Sequence, residues 1–182
     1  MKEAIIAIMG TIVGFLLGLV KEFIENRPRI KTEFRNGTLH YFKEEVSDYG
    51  DISINKVLPK AATNIELVLI FDIFNIGKAG TAITDITICI MVNNEKSYFY
   101  PKVFLAFEDK LLEDTSFTIE SNRGYTIKTI LDIKKNDENY YMFNDIDLLP
   151  NRSNSLDIEV IIKSIGDKNV NIKVDPISIY TA

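Results

Sequence analysis

The chain has one cysteine (Cys89), one histidine (His40) and no tryptophan. A single cysteine excludes an intrachain disulfide and fits a reducing compartment. One histidine with one remote cysteine cannot make a Cys/His metal centre. The common catalytic signatures are missing as well: no G-x-S-x-G, no glycine-rich phosphate loop, no H-E-x-x-H and no cysteine pair. Positive charge is short, with a formal net charge of −5, which argues against general nucleic-acid binding. The expectation from these absences is a protein that is not an enzyme, with no catalytic residues, no cofactor and no metal.

What is present starts with an uncharged run, Ala4 to Val20, ended by Lys21-Glu22 and then by Arg27-Pro28-Arg29. Its seventeen residues would rise about 25 Å as a helix, against a hydrocarbon core of about 30 Å. A cleaved signal peptide is disfavoured by the charge-balanced Met1-Lys2-Glu3 and by the missing small-x-small site after Val20. A buried core helix is disfavoured by Gly10, Gly14 and Gly18, each costing about 1 kcal/mol relative to alanine. The run is therefore expected to be a transmembrane helix, with the lipid bilayer as a partner. Lys21, Arg27, Arg29, Lys31 and Arg35 follow it and Lys2 alone precedes it, so the C-terminal domain is expected to face the cytoplasm. Gly10, Gly14 and Gly18 share one helix face, a groove through which spans pack, so a homo-oligomer through this helix is a further expectation.

After residue 28 the pattern changes to strands, with enough chain for one domain. The expected organisation is a transmembrane helix and juxtamembrane segment over 1–28 and a β-sandwich domain over 29–182. Asn36-Gly37 between two alternating segments predicts a hairpin in which Glu33 lies opposite His40. Ile65 to Phe74 has every odd position apolar and reads as a central strand. Ile83 to Val92, Tyr125 to Ile133, Leu156 to Lys163 and Val170 to Val174 alternate too. Strands with turn signals about every 8–12 residues predict an antiparallel β-sandwich, hence a mainly β fold. Cys89, mid-strand among apolar residues, reads as packing. The carboxylates of Glu108-Asp109, Glu113-Asp114 and Asp145-Ile146-Asp147 read as solvated loops.

Short motifs punctuate the chain: Arg27-Pro28-Arg29-Ile30-Lys31, then Phe74-Asn75-Ile76-Gly77 followed by Ala82-Ile83-Thr84-Asp85-Ile86, then Ser164-Ile165-Gly166-Asp167-Lys168. Together they resemble a loose group of single-span bacterial and prophage membrane proteins with an immunoglobulin-like β-sandwich. Asn75 and Gly77 also have a direct reading, as residues that accept left-handed conformations at a sheet corner. The resemblance brings no functional residues with it. It does imply superinfection exclusion or defence through the transmembrane helix as an alternative role.

One further segment stands out. Tyr140, Tyr141, Met142 and Phe143 open a run to Leu149 that breaks the strand rhythm, and aromatic residues with methionine are enriched at interface cores. It reads as a segment closing one end of the sandwich or as a candidate partner surface. The functional expectation is a membrane-anchored, non-enzymatic protein-interaction module with an unidentified protein partner and no nucleic acid.

Overall fold

A computed structural model of the chain describes residues 2–47, 49–92, 95–107, 110–112, 116–137, 157–166, 169–174 and 178–180. The helix α1 is Lys2–Glu25, and the strands begin with β1 Ile30–Val46, β2 Ile52–Lys56, β3 Asn64–Asn75 and β4 Thr81–Val92. They continue with β5 Glu95–Phe99, β6 Lys102–Leu105, β7 Lys110–Leu111, β8 Phe117–Ile119 and β9 Arg123–Lys134. The last are β10 Asp157–Ser164, β11 Val170–Val174 and β12 Ser178–Tyr180. The larger sheet has the order β12-β1-β3-β9-β6-β7 with β2 also on β1; the smaller has β11-β10-β4-β5 with β8 also on β4. Their inner faces share one hydrophobic core. Leu39, Tyr41, Leu67, Leu69, Phe71, Ile127 and Ile133 come from the larger sheet; Ile86, Ile88, Ile90, Ile158, Val160 and Ile162 come from the smaller. This is a β-sandwich. It is not wholly antiparallel, because β12 pairs with β1 in parallel.

The expected hairpin at Asn36-Gly37 does not form. Residues 30–42 pair continuously with β3, and Asn36 and Gly37 lie opposite Ile70 and Leu69. His40 accordingly faces Glu66 across the strands and Glu33 faces Asp72. Burial decides between the two arrangements. β3 carries Ile65, Leu67, Leu69, Phe71 and Ile73, each essentially inaccessible, and burying such a side chain is worth about 1.5–3 kcal/mol. Local β preferences span only about 1 kcal/mol. A single bulge keeps the pattern in phase: Phe34 lies opposite Phe71 and Asn36 opposite Ile70, so Arg35 is the extra residue. Before it the half-buried positions are even (Ile30, Thr32, Phe34); after it the buried ones are odd (Gly37, Leu39, Tyr41). β4 uses the same device. Lys163 pairs with Asp85 and Ser164 with Ile83, which leaves Thr84 as the extra residue and keeps Ile83 and Ile86 both buried.

The N-terminal expectation is corrected. Among the described residues no helix is long and apolar enough to cross a membrane. The helix takes in Lys2 and Glu3 at one end and Lys21, Glu22 and Glu25 at the other. The apolar part between them is diluted by Gly10, Thr11, Gly14 and Gly18 and reaches only about 25 Å of the roughly 30 Å required. The transmembrane helix, the single-pass placement in a cell membrane and the cytoplasmic orientation of the domain fall with it. What α1 does show is exposed apolar surface on its described residues, including Ile12, Phe15, Leu17 and Phe23.

The chain leaves α1 through Arg27, whose guanidinium lies over the Phe23 ring, 4.5 Å from its centroid, and Glu25, which pairs with Lys78 at 3.1 Å. It is then tied into the sandwich by Asn75, which is fully buried. The Asn75 Oδ1 accepts the backbone N–H of Arg29 (3.3 Å) and of Gly77 (3.0 Å). Its Nδ2 donates to the carbonyls of Ala79 (2.7 Å) and Ile119 (3.3 Å). The backbone adds a bond from Ile76 N–H to the Arg29 carbonyl at 2.9 Å, and Ser121 Oγ donates to the Gly77 carbonyl at 2.8 Å. Gly77 is needed here for room. A Cβ on it would fall within 2.7 Å of the backbone of Arg27, Pro28 and Arg29. The left-handed conformation expected at Asn75 and Gly77 is absent: among the described residues positive φ is found at Gly50, Asn122 and Gly166.

Two glycines in the same loop should therefore behave differently. Gly77→Ala is expected to lower unfolding stability by about 3 kcal/mol, because backbone cannot move aside as a side chain can. Gly80→Ala, whose added Cβ would sit 3.6 Å from its nearest neighbour, should stay within about 1 kcal/mol. Asn75→Ala should cost about 3 kcal/mol, since it strands buried donors and acceptors on three segments. Urea denaturation followed by far-UV circular dichroism measures all three.

Candidate functional site

The outer face of the larger sheet holds a charged group where a strand interior would ordinarily carry none. Asp72 sits between Phe71 and Ile73 in β3, points away from the core, and is still only 3% exposed. Its row across the sheet is Glu33, Asp72 and Thr126. Two carboxylates directly opposite one another repel, and the bulge supplies the compensation by aiming Arg35 at this row. Arg35 Nε donates to Asp72 Oδ2 at 2.6 Å, and Thr126 Oγ1 donates to Asp72 Oδ1 at 2.7 Å. Both oxygens of the buried carboxylate are thereby satisfied. The arginine side chain remains 54% exposed, with guanidinium donors that Asp72 does not take.

Around this pair is a cleft of about 290 Å³ lined by Arg35, Asp72, Phe74, Leu105, Phe107, Gly124, Tyr125 and Thr126. Phe74 lies opposite Gly124, and its ring occupies the space where a side chain on Gly124 would be. Phe107 stands 86% exposed and Tyr125 38% exposed. Tyr125 meets Phe117 edge-on at 5.9 Å. The cleft thus has a charged, hydrogen-bonded floor and aromatic walls, the make-up of a site that takes a side chain or small group. Further along the same face Lys102 Nζ lies 2.8 Å from Asp132. That hydrogen bond and the carboxylate's charge hold the lysine pKa above its ordinary value.

The residues expected to matter lie elsewhere. Gly10, Gly14 and Gly18 form an open stretch of α1, where an added Cβ would meet nothing within 4 Å. Tyr140, Tyr141, Met142 and Phe143 lie outside the described residues, as do the acidic clusters at 108–109, 113–114 and 145–147. His40 stacks on Phe42 at 5.9 Å. Cys89 is buried, bordering a shallow depression with Met91, Lys96, Glu159 and Lys173. The Arg35–Asp72–Thr126 group was not anticipated. The signal available for it was Asp72, the one formal charge between Leu67 and Asn75.

The arginine and the carboxylate should prove unequal partners. Arg35→Met leaves a buried carboxylate without its cation and is expected to cost about 2 kcal/mol, less than a fully buried pair because the arginine is half in water. Adding Asp72→Asn should recover part of that loss. A double-mutant cycle by denaturant unfolding reads the coupling.

No protein-family model matches the chain, and no curated protein matches it. Among solved structures, the sporulation control protein Spo0M of Bacillus subtilis aligns at TM-score 0.37 and 12% identity, over 86% of this chain and 50% of that one. This chain therefore spans half the length of Spo0M. An uncharacterized β-sandwich protein of Clostridium difficile aligns at TM-score 0.35 and 13% identity, over 82% and 87% of the two chains. A protein of Archaeoglobus fulgidus aligns at 0.34 and 14%, over 82% and 98%. At these scores the β-sandwich rests on the strand pairing itself, and the matches do not speak to a membrane or prophage grouping.

Proposed function

We propose that the sandwich is a non-enzymatic protein-interaction module whose contact surface centres on the Arg35–Asp72 cleft. The observation that carries this is the combination of a buried carboxylate, paired to a half-exposed arginine, with exposed aromatics beside it. A carboxylate taken out of water is costly even when it is paired, so stability gives little reason to keep one in the middle of β3. Arginine, tyrosine and phenylalanine are, however, the residues enriched at the energetic centres of protein interfaces. The Asp72 carboxylate holds Arg35 in one orientation, which lowers the ordering cost of binding. Phe107 presents a nearly bare ring at the rim.

The test is a photo-crosslinking amino acid placed at position 107 of the full-length chain in cells. A single defined adduct that disappears in the Arg35→Glu background is the expected result. The same probe at Thr84, which is exposed on the smaller sheet, should give none. Equal labelling from both positions, or an adduct indifferent to Arg35, would count against the cleft as the contact surface. Phe107→Ala should leave the thermal melt within about 2 °C of the parent, as expected for an exposed side chain, while abolishing the adduct when the probe is moved to Tyr125.

A further inference from the structure

The hairpin of β1 and β2 carries a second feature, separate from the cleft. All five residues of β2 are exposed, and among the described residues β2 pairs only with β1. The direction of its backbone groups follows from two bonds. Val57 N–H donates to the Tyr41 carbonyl at 3.0 Å, and Ser47 N–H donates to the Asp51 carbonyl at 2.8 Å. Antiparallel pairs alternate between hydrogen-bonded and non-bonded residues. Residues 51, 53, 55 and 57 therefore turn their backbone toward β1, and Ile52, Ile54 and Lys56 turn theirs to the open edge. On one face of the hairpin Val46 lies opposite Ile52 and Glu44 opposite Ile54. Val46, Ile52 and Ile54 are 69%, 66% and 62% exposed. Such an edge is usually blunted by inward-pointing charges, proline or a bulge; here Lys56 is the only charge on the strand.

We propose that this edge pairs with the same edge of a second copy of the chain, antiparallel and centred on Ile54. The occupant follows from the pattern. A two-fold axis through Ile54 sets Ile52 opposite the other copy's Lys56 and Ile54 opposite its own equivalent. All three outward-facing residues then find partners for both their N–H and their C=O, as an isologous interface requires. Centring on Lys56 would oppose two lysines, and centring on Ile52 would run the strand into the turn at Gly50, whose φ is +85°. In the Ile54 register no like charges face each other, and the two isoleucines at the centre close an apolar strip continued by Val46 and Ile52. A single strand pair makes a small interface, so the association belongs to the weak class.

Cysteine crosslinking tests the register in the full-length chain, kept in a mild non-ionic detergent on account of the exposed apolar residues of α1. The background thiol, Cys89, is buried. A directly opposed hydrogen-bonded pair has Cα atoms about 5.5 Å apart, inside the disulfide window. Under mild oxidation at about 100 µM chain, a concentration suited to a small interface, Ile54→Cys should link to itself. Ile52→Cys alone should stay unlinked, since its two copies would lie about 13 Å apart along the strands. A mixture of the Ile52→Cys and Lys56→Cys chains should link. Ile54→Lys should remain folded by circular dichroism and sediment with at least tenfold weaker self-association. The proposal is overturned if Ile54→Cys stays unlinked, whether because α1 alone holds the copies together or because a different strand occupies the edge. It is equally overturned if Ile52→Cys links to itself as fast as Ile54→Cys.

Discussion

The buried side chain of Asn75 is the constraint on which the rest of this sandwich depends. Its four hydrogen bonds reach the segment entering the first strand, the loop leaving β3 and the end of β8. These segments belong to both sheets. A side-chain amide can join them because it offers an acceptor and two donors in one plane, and burial gives each bond more weight than it would have at the surface. Gly77 supplies the complementary requirement, an absence of side chain that lets the chain before β1 lie directly against the β3–β4 loop. Asn75 and Gly77 thus act as one unit, and their spacing of two residues reflects the bond from Gly77 N–H to the Asn75 side chain.

The two bulges show how a strand longer than its regular pleat stays in register with a core. β1 and β4 each insert one residue and each thereby changes which parity points inward. At Arg35 the inserted residue also acquires a task, since its side chain is turned across the neighbouring strand to Asp72. Structure and site are coupled at that point. The irregularity that keeps Leu39 and Tyr41 in the core is the same one that places a guanidinium beside a buried carboxylate.

Much of the core was legible in the sequence, because a period of two reports directly on which side chains are buried. The odd positions of Ile65 to Ile73 and the even positions of Ile86 to Ile90 are inaccessible, as their alternation required. What was not legible depended on partners distant in sequence. Asn36-Gly37 is a strong local turn signal, and it lost to the chance of laying thirteen residues of β1 along β3. Ala4 to Val20 carries no charge and so resembles a span, but the helix continues into Lys21 and Glu25, and its apolar part is too short to cross a membrane. The cleft was hidden because Arg35 and Asp72 lie 37 residues apart, and no periodicity relates a bulge on one strand to a carboxylate on another.

The parallel pairing of β12 with β1 has a consequence for synthesis. Thr38, Leu39 and His40 meet Ser178, Ile179 and Tyr180, so a strand borders another that leaves the ribosome much later. Contacts of such long sequence separation carry a high loop-closure cost and form late. While translation proceeds, the middle of β1 must wait with that edge unpaired, and the larger sheet can be completed only once Ser178 to Tyr180 have emerged.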